Sequence, residues 1–397
     1  MVSALFSSPF VLLDDARPDG PGRTRLYRDL LGEVRADHLN GVQPALARLK
    51  QAYADGLHVA GFIGYEAGKA LEPRLTRLGA RGEKGDPPLL WFGLFRDVEE
   101  LEQGHVAELL EGAGPEPELA PTEPLLERTD YEAAFAAVRD AIVAGDVYQA
   151  NLTFAARVRV GESPAAFYRA VRPRAAAGHG AMLFTGADWL LSFSPESFFL
   201  LDGDMLTTRP MKGTAPRGSD ATSDAEYARG LRQDAKQQAE NLMIVDLLRN
   251  DLSRIAMPGS VAVPELFTIE TYPSVHQMTS TVTARLRSGL DPIDVLAAMF
   301  PCGSITGAPK IRAMEIIHQV EERARGPYTG AIGAIEPSGR AAFNVAIRTV
   351  CVNNGNSWGT IGLGSGVVAD SRAESEWREC LDKARFLSMK DFGRDQR

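Results

Sequence analysis

The stretch Thr208-Arg-Pro-Met-Lys-Gly-Thr-Ala-Pro-Arg-Gly218 places one lysine, Lys212, in a short segment whose prolines and glycines restrict the backbone. A lysine held this way can be aimed. To attack carbon it must first lose a proton, and with an unperturbed pKa of about 10.4 it is charged at neutral pH unless burial or a neighbouring cation lowers that value. Arg209 and Arg217 have the right sign for that, although they could equally bind substrate or lie in solvent.

Around this segment the chain has the composition of a folded protein. Its 397 residues are 44% apolar, enough for one large domain or two ordinary ones. A formal net charge of -9 argues against a long phosphate-binding face, so nucleic acid is not an expected partner. Cys302, Cys351 and Cys380 show no metal-ligand spacing or disulfide framework and are expected to be reduced structural thiols. No basic leader precedes an apolar core at the N-terminus, and no stretch approaches eighteen uncharged apolar residues. The expectation is a cytoplasmic protein that does not engage a membrane.

Strands are expected over Pro9–Asp14, His58–Glu66 and Pro88–Phe95, then a Gly-, Pro- and Glu-rich connector between Glu111 and Thr129. A helix opens at Thr129 and ends at Gly145, with Ala134, Phe135, Val138, Ile142 and Val143 along one stripe. Strand-like runs follow over Val147–Phe154, Ala181–Phe184 and Trp189–Ser194. Ser223 and Glu226 have capping-box spacing for a long helix to Leu248, buried through Leu242, Val245 and Leu248 or Leu252. Asp291-Pro292 and Pro309 start two more helices, each with proline at the first helical position. After Trp358–Ala369, Ser371 and Glu374 offer a second capping box for a final helix reaching about Met389.

Several constellations carry chemistry, each beside a plainer reading. Glu376 and Glu379, with Lys383 four residues on, share one face of the final helix: a solvated ion-pair face, or part of a carboxylate site for a hard cation completed by Glu240. Gly362, Gly364 and Gly366 alternate along a strand, either for tight sheet packing or to admit a ligand to the backbone. Phe300-Pro-Cys-Gly-Ser-Ile-Thr-Gly-Ala-Pro-Lys310 is a turn leading into a helix, where Thr306 and backbone donors could meet an anion or merely form a cap. His276 reads as a structural histidine or a site residue. Glu196 reads as a strand-end glutamate or a desolvated general acid.

Together with Asp146-Val-Tyr-Gln-Ala-Asn-Leu-Thr153, Phe193-Ser-Pro-Glu196, Arg209-Pro-Met-Lys-Gly-Thr214, Ala239-Glu-Asn-Leu-Met-Ile-Val-Asp-Leu-Leu-Arg-Asn-Asp251, Gly303-Ser-Ile-Thr-Gly-Ala-Pro-Lys310 and Gly366-Val-Val-Ala-Asp-Ser371, these residues form a specific series. From about Tyr131 to Leu387 the chain resembles the chorismate-utilising enzymes, which include anthranilate synthase component I, aminodeoxychorismate synthase component I, and the isochorismate and salicylate synthases. Val11-Leu-Leu-Asp14 and Gly61-Phe-Ile-Gly-Tyr-Glu66 look like the amino-terminal portion of the first two branches.

The resemblance implies an α/β fold of the α+β type, with two packed antiparallel β-sheets surrounded by helices. Residues 1–120 would be an amino-terminal portion structurally merged with the rest, and 121–397 the chorismate-binding catalytic portion. It implies Mg2+ held by Glu240 and Glu379, with Glu376 supporting through water and the ion on the ring carboxylate of chorismate. It further implies that Arg348, Lys383 and the Gly366 backbone hold the enolpyruvyl carboxylate, that His276 and Thr306 lie near the ring, and that Tyr328 lines the carboxylate end.

Within the family, anthranilate synthases usually have alanine at the position of Lys212, whereas the aminodeoxychorismate branch has Pro-Ile-Lys-Gly-Thr. The resemblance therefore implies amination of chorismate at C4 to 4-amino-4-deoxychorismate, a precursor of 4-aminobenzoate in folate biosynthesis. Lys212 would attack C2 and Glu196 would protonate the departing C4 hydroxyl. Gln237 stands where the anthranilate branch often has a glutamate. No Gly-x-Cys-x-Gly glutaminase motif occurs, so ammonia is expected from a separate glutamine amidotransferase subunit. Tryptophan is a further candidate ligand. Anthranilate synthase activity, and a non-catalytic tryptophan- or partner-binding protein on the same scaffold, stay open as alternatives.

Overall fold

The strand Phe10–Asp14 is apolar through four of its five positions and is almost wholly buried, as a strand covered on both faces must be. It pairs antiparallel with Gly180–Phe184, far along the chain. His58–Ile63 likewise pairs with Ala331–Ile335. Strands from the first 101 residues thus complete two separate sheets whose other members come from residues 123–367. The computed structural model describes residues 6–17, 20, 24–79, 81–82, 85–272 and 275–388.

Among the described residues each sheet has ten strands, and all their pairings are antiparallel. At one end of the first sheet lie Gln149–Arg159 and Trp358–Val367, paired over ten positions. At one end of the second lie Met211–Pro216 and Val275–Arg285. A layer of apolar side chains from both sheets, including Val11, Phe62, Trp91, Leu183, Leu190 and Ile332, packs between them. Two larger cores cover the outer faces, one beneath the helices Leu39–Ala54, Ala235–Ser253 and Pro292–Met299, the other beneath Arg128–Val143, Pro164–Ala175 and Ala373–Asp382. The expected architecture of two packed antiparallel sheets with helices outside is the one observed.

Local differences have local causes. The expected helix from Ser223 to Leu248 is two helices, Ala221–Gln233 and Ala235–Ser253. The first is capped by Asp220, with Ser223 as the third residue of the box, and Asp234 breaks the run to cap the second. Leu242 points outward, 43% exposed, while Val245, Leu248 and Leu252 are buried. In the Arg128–Val143 helix the buried stripe is Tyr131, Phe135 and Val138, and Val143 is exposed at the last turn. Pro309 is the N-cap of its helix rather than the first helical residue. The capping box expected at Ser371 is not formed: that hydroxyl accepts from the Val368 amide and donates to Glu376. The final helix ends at Asp382, and the expected end at Met389 lies outside the described residues. No disulfide joins the three thiols, and burial pushes Cys302 and Cys351 up to about 12. Among the described residues no helix is long and apolar enough to cross a membrane.

Candidate active site

Two crossovers between the sheets position the first pair of side chains. The chain leaves the first sheet after Ser192 and enters the second at Ser197, with Glu196 in the link. It returns from Val345 to Thr349, with Arg348 in the link. The links bind each other: the Val345 amide donates to the Glu196 carbonyl at 3.0 Å, and the Phe193 amide to the Arg348 carbonyl at 3.0 Å. Arg348 has φ of 52°, a left-handed conformation that costs a non-glycine residue about 1 kcal/mol and persists only where surrounding contacts hold it.

Glu196 is 6% exposed. Burial pushes its carboxyl up to about 7, against the opposing influence of a hydrogen bond from Ser304 and the charges of Lys212 and Lys383. Ser304 Oγ donates to Glu196 Oε1 at 2.7 Å. A carboxyl so placed can hold a proton near neutrality and release it to a leaving group. Burial alone depresses the Arg348 guanidinium below its ordinary value. Among the described residues no acid pairs with it, and its guanidinium carbon lies 5.9 Å from the centre of the Phe386 ring. A cation in that state is suited to an anionic ligand.

Lys212 lies on Met211–Pro216, followed by Gly213 at φ of 102°, a conformation that favours glycine. Asn241 Nδ2 donates to the Lys212 carbonyl at 3.2 Å, and Ser280 Oγ donates to Asn241 Oδ1 at 2.6 Å, which anchors the lysine's backbone. Its Nζ stands 3.6 Å from Glu240 Oε2. A Cβ on Gly366 would lie 2.8 Å from Gln149 Nε2 and 3.3 Å from Lys212 Nζ. The bare glycine therefore makes room for both side chains. At Gly362 a Cβ would overlap the Tyr328 ring, and the Gly364 carbonyl accepts from Lys383 Nζ at 2.8 Å. Along Trp358–Val367, Ile361, Leu363 and Val367 enter the outer core, so the three alternate glycines face the opposite sheet.

The carboxylates come from two helices. Glu240 is on Ala235–Ser253, and Glu376 and Glu379 are on Ala373–Asp382. Lys236 Nζ bonds Asp370 at 2.7 Å, tying the first helix to the turn before the second. Glu379 pairs with Lys383 at 2.8 Å. Partial desolvation raises the Glu379 carboxyl, whose side chain is still 54% exposed, but the charge and hydrogen bond of Lys383 and the charge of Lys212 outweigh this and hold it below the ordinary range. Among the described residues no three His, Cys, Asp or Glu side chains converge as a metal cluster. All three glutamates are hard oxygen donors of the kind Mg2+ takes, two of them neutralised here by lysines, so the donor chemistry fits such an ion.

Other expected site residues are engaged elsewhere. His276 is buried with both ring nitrogens bonded, one to Thr271 Oγ1 at 3.0 Å and the other to Asp224 Oδ1 at 2.9 Å. Thr306 Oγ1 donates within its own turn to the Cys302 and Gly303 carbonyls. Gln237 lies against Gly213, where a Cβ would meet its Oε1 at 3.1 Å. Behind the Tyr328–Gly362 contact opens a cavity of about 230 Å3, also walled by Thr349, Phe154 and Arg325, that does not reach Lys212 or Glu196.

Three residues of the site were not singled out from the sequence: Ser304, Asn241 and Gln149. Gln149 is buried with Oε1 unpaired. All three stand inside motifs quoted above, which was the one available signal.

The sequence profile of chorismate binding enzymes matches residues 21–389. Aminodeoxychorismate synthase component 1 of Salmonella typhimurium is 45% identical over 261 residues, covering 65% of this chain and 56% of that protein. Anthranilate synthase component 1 of Thermus thermophilus is 42% identical over 259 residues, covering 64% and 56%. The match thus spans little over half the length of either relative. The crystal structure of anthranilate synthase component I from Streptococcus pneumoniae superposes with a TM-score of 0.79 at 27% identity, covering 93% of both chains.

Proposed function

The chain belongs to the chorismate-binding enzyme family, and we propose that it is a synthase component that converts chorismate and ammonia to 4-amino-4-deoxychorismate. Two relatives of different activity lie within three percentage points of identity, so overall similarity does not choose between amination at C4 and at C2. The observation that carries the choice is the amine of Lys212 beside Gly366, in the electrostatic field of Glu196.

In this reading Lys212 gives its ammonium proton to solvent, and Nζ bonds C2 of chorismate as the two ring double bonds shift toward C4. The C4–O bond breaks, and Glu196 gives its proton so that water leaves. Ammonia then bonds C4, the two double bonds return, and the C2–Nζ bond breaks to free the lysine. The C4 ammonium so formed gives one proton to the Glu196 carboxylate, and the product departs as the amine. Arg348, Lys383 and the Gly366 backbone take the enolpyruvyl carboxylate, with Tyr328 lining that end. His276 and Thr306 serve as walls near the ring, because their polar atoms already have partners. Glu240 and Glu379, supported by Glu376, would hold Mg2+, which when bound offsets the charge of the ring carboxylate. Ammonia would come from a separate glutamine amidotransferase subunit.

The test is product identity. Purified protein with chorismate, Mg2+ and ammonium salt is expected to yield 4-amino-4-deoxychorismate. Formation of 2-aminobenzoate would overturn the reading in favour of anthranilate synthesis, and absence of any turnover would favour a binding role on the same scaffold.

A further inference from the structure

Ser304 is a residue that the proposed chemistry does not use, yet its hydroxyl makes the hydrogen bond that the Glu196 carboxyl receives. The two residues are 108 positions apart in the chain. Ser304 belongs to the short 3-10 turn Gly303–Ile305, and Cys302 Sγ lies 3.3 Å from Ser304 Oγ. Burial keeps that thiol protonated up to about 12. A neutral thiol behind a hydroxyl that already donates forward acts as donor, so the bonds run from Cys302 through Ser304 to Glu196 Oε1. Glu196 Oε2 has no hydrogen-bond partner among the described residues.

We propose that Ser304 is a positioning residue for the acid step: its hydroxyl, oriented by Cys302, occupies Oε1 and leaves the transferable proton on Oε2. This rests on the reading of Glu196 as the general acid. Ser304 exchanges no proton. The Oε2–H bond breaks as the C4–O bond of substrate breaks, and Glu196 is left as a carboxylate steadied by the same donated bond. The groups facing Glu196 besides Ser304 are Cys302 and the ammonium groups of Lys212 and Lys383. Both ammonium groups favour the carboxylate, so Ser304 supplies the hydrogen-bonded part of that stabilisation and fixes which oxygen it falls on.

The experiment is the pH profile of kcat and kcat/KM for chorismate at constant free ammonia, in the parent, Ser304→Ala, Ser304→Thr, Cys302→Ala and Glu196→Gln proteins. Ser304→Ala is expected to move the basic limb upward by about one pH unit, since a donor to the carboxylate has gone. It should also lower kcat about tenfold with KM for chorismate little changed. Ser304→Thr, which keeps the hydroxyl, should restore both. Cys302→Ala should shift the limb in the same direction by less. A basic limb and kcat in Ser304→Ala within twofold of the parent would overturn the proposal while an inactive Glu196→Gln protein leaves the acid assignment standing. A Glu196→Gln protein at the parental rate would instead overturn the acid assignment itself. Should Ser304→Ala not fold, an unchanged limb in Cys302→Ala overturns the proposal.

Discussion

Lys212 Nζ stands 3.6 Å from Glu240 Oε2, so the proposed nucleophile and a proposed metal ligand hold each other's charge. The two functions compete. A cation drawn to Glu240 must displace the ammonium. Both side chains are part-exposed, at 27% and 18%, so solvent screens the pair and its worth is about 1 kcal/mol. Lys212→Gln is therefore expected to bind Mn2+ about fivefold more tightly than the parent, read by electron paramagnetic resonance without substrate. Equal or weaker binding would show that the lysine does not compete with the ion.

If Lys212 acts as a nucleophile rather than only as a base, its bond to C2 outlasts the first step whenever ammonia is withheld. Mass spectrometry of protein incubated with chorismate and Mg2+ should then find chorismate less water on the peptide carrying Lys212. A protein that turns over normally with ammonium yet carries no adduct without it would reduce the lysine to a base.

The Arg348 guanidinium is costly to keep, because burial disfavours its charge and no acid among the described residues offsets the loss. Arg348→Met should leave thermal stability unchanged or higher. The same variant should lose about 100-fold in kcat/KM for chorismate, mostly through KM, as a charge-assisted contact worth about 2–3 kcal/mol disappears. A KM equal to the parent's would remove Arg348 from substrate binding.

How much of this was legible depended on the range of each interaction. Strands such as Phe10–Asp14 and Gly180–Phe184 declare themselves by continuous apolar character, and the alternate glycines of Trp358–Val367 showed where one face lacks side chains. The helix cap is Asp220, three residues before the expected Ser223, because both residues satisfy the local capping pattern. Tertiary contacts add further restraint there: Asp224 takes two bonds from Arg217 and one from the Gly218 amide, locking the first turn. The reciprocal bonds between the two crossovers, and the reach of Ser304 to Glu196, join residues over a hundred positions apart. Nothing in local spacing encodes such contacts. His276 shows the reverse difficulty: the resemblance implies a residue near the substrate ring, while both of its nitrogens are bonded inside the fold.

Glu196 should make stability depend on pH with a definite sign. Its folded value of about 7 exceeds the ordinary 4.5, so the folded protein binds more protons than the unfolded chain between those limits. The contribution is fully present below about pH 4.5 and is lost as pH rises through 7, a change of about 3 kcal/mol. Glu196→Gln removes the ionisation. It should exceed the parent in stability by about 2–3 kcal/mol at pH 8, with the difference shrinking toward pH 4, in denaturant titrations. A difference independent of pH would show that the carboxyl is not shifted.

Arg325 and Glu321 form an ion pair with side chains only 2% and 7% exposed. Arg325 donates to the carbonyls of Ile305 at 3.1 Å and Asn151 at 2.6 Å, while Glu321 accepts from the Thr153 amide at 2.8 Å. The pair thus joins the turn carrying Ser304 and Thr306 to the strand opposite the glycines, and its guanidinium lies 4.4 Å from the Tyr65 ring centre. Removing one partner leaves the other charge buried and unpaired, which costs about 3–5 kcal/mol. Removing both strands neither, although the carbonyls and the Thr153 amide lose their partners in either case. Arg325→Met and Glu321→Leu should each lower unfolding free energy by about that amount, and the double variant should lose at least 2 kcal/mol less than their sum. Additive losses would mean that the charges are held by the backbone groups around them and not by each other.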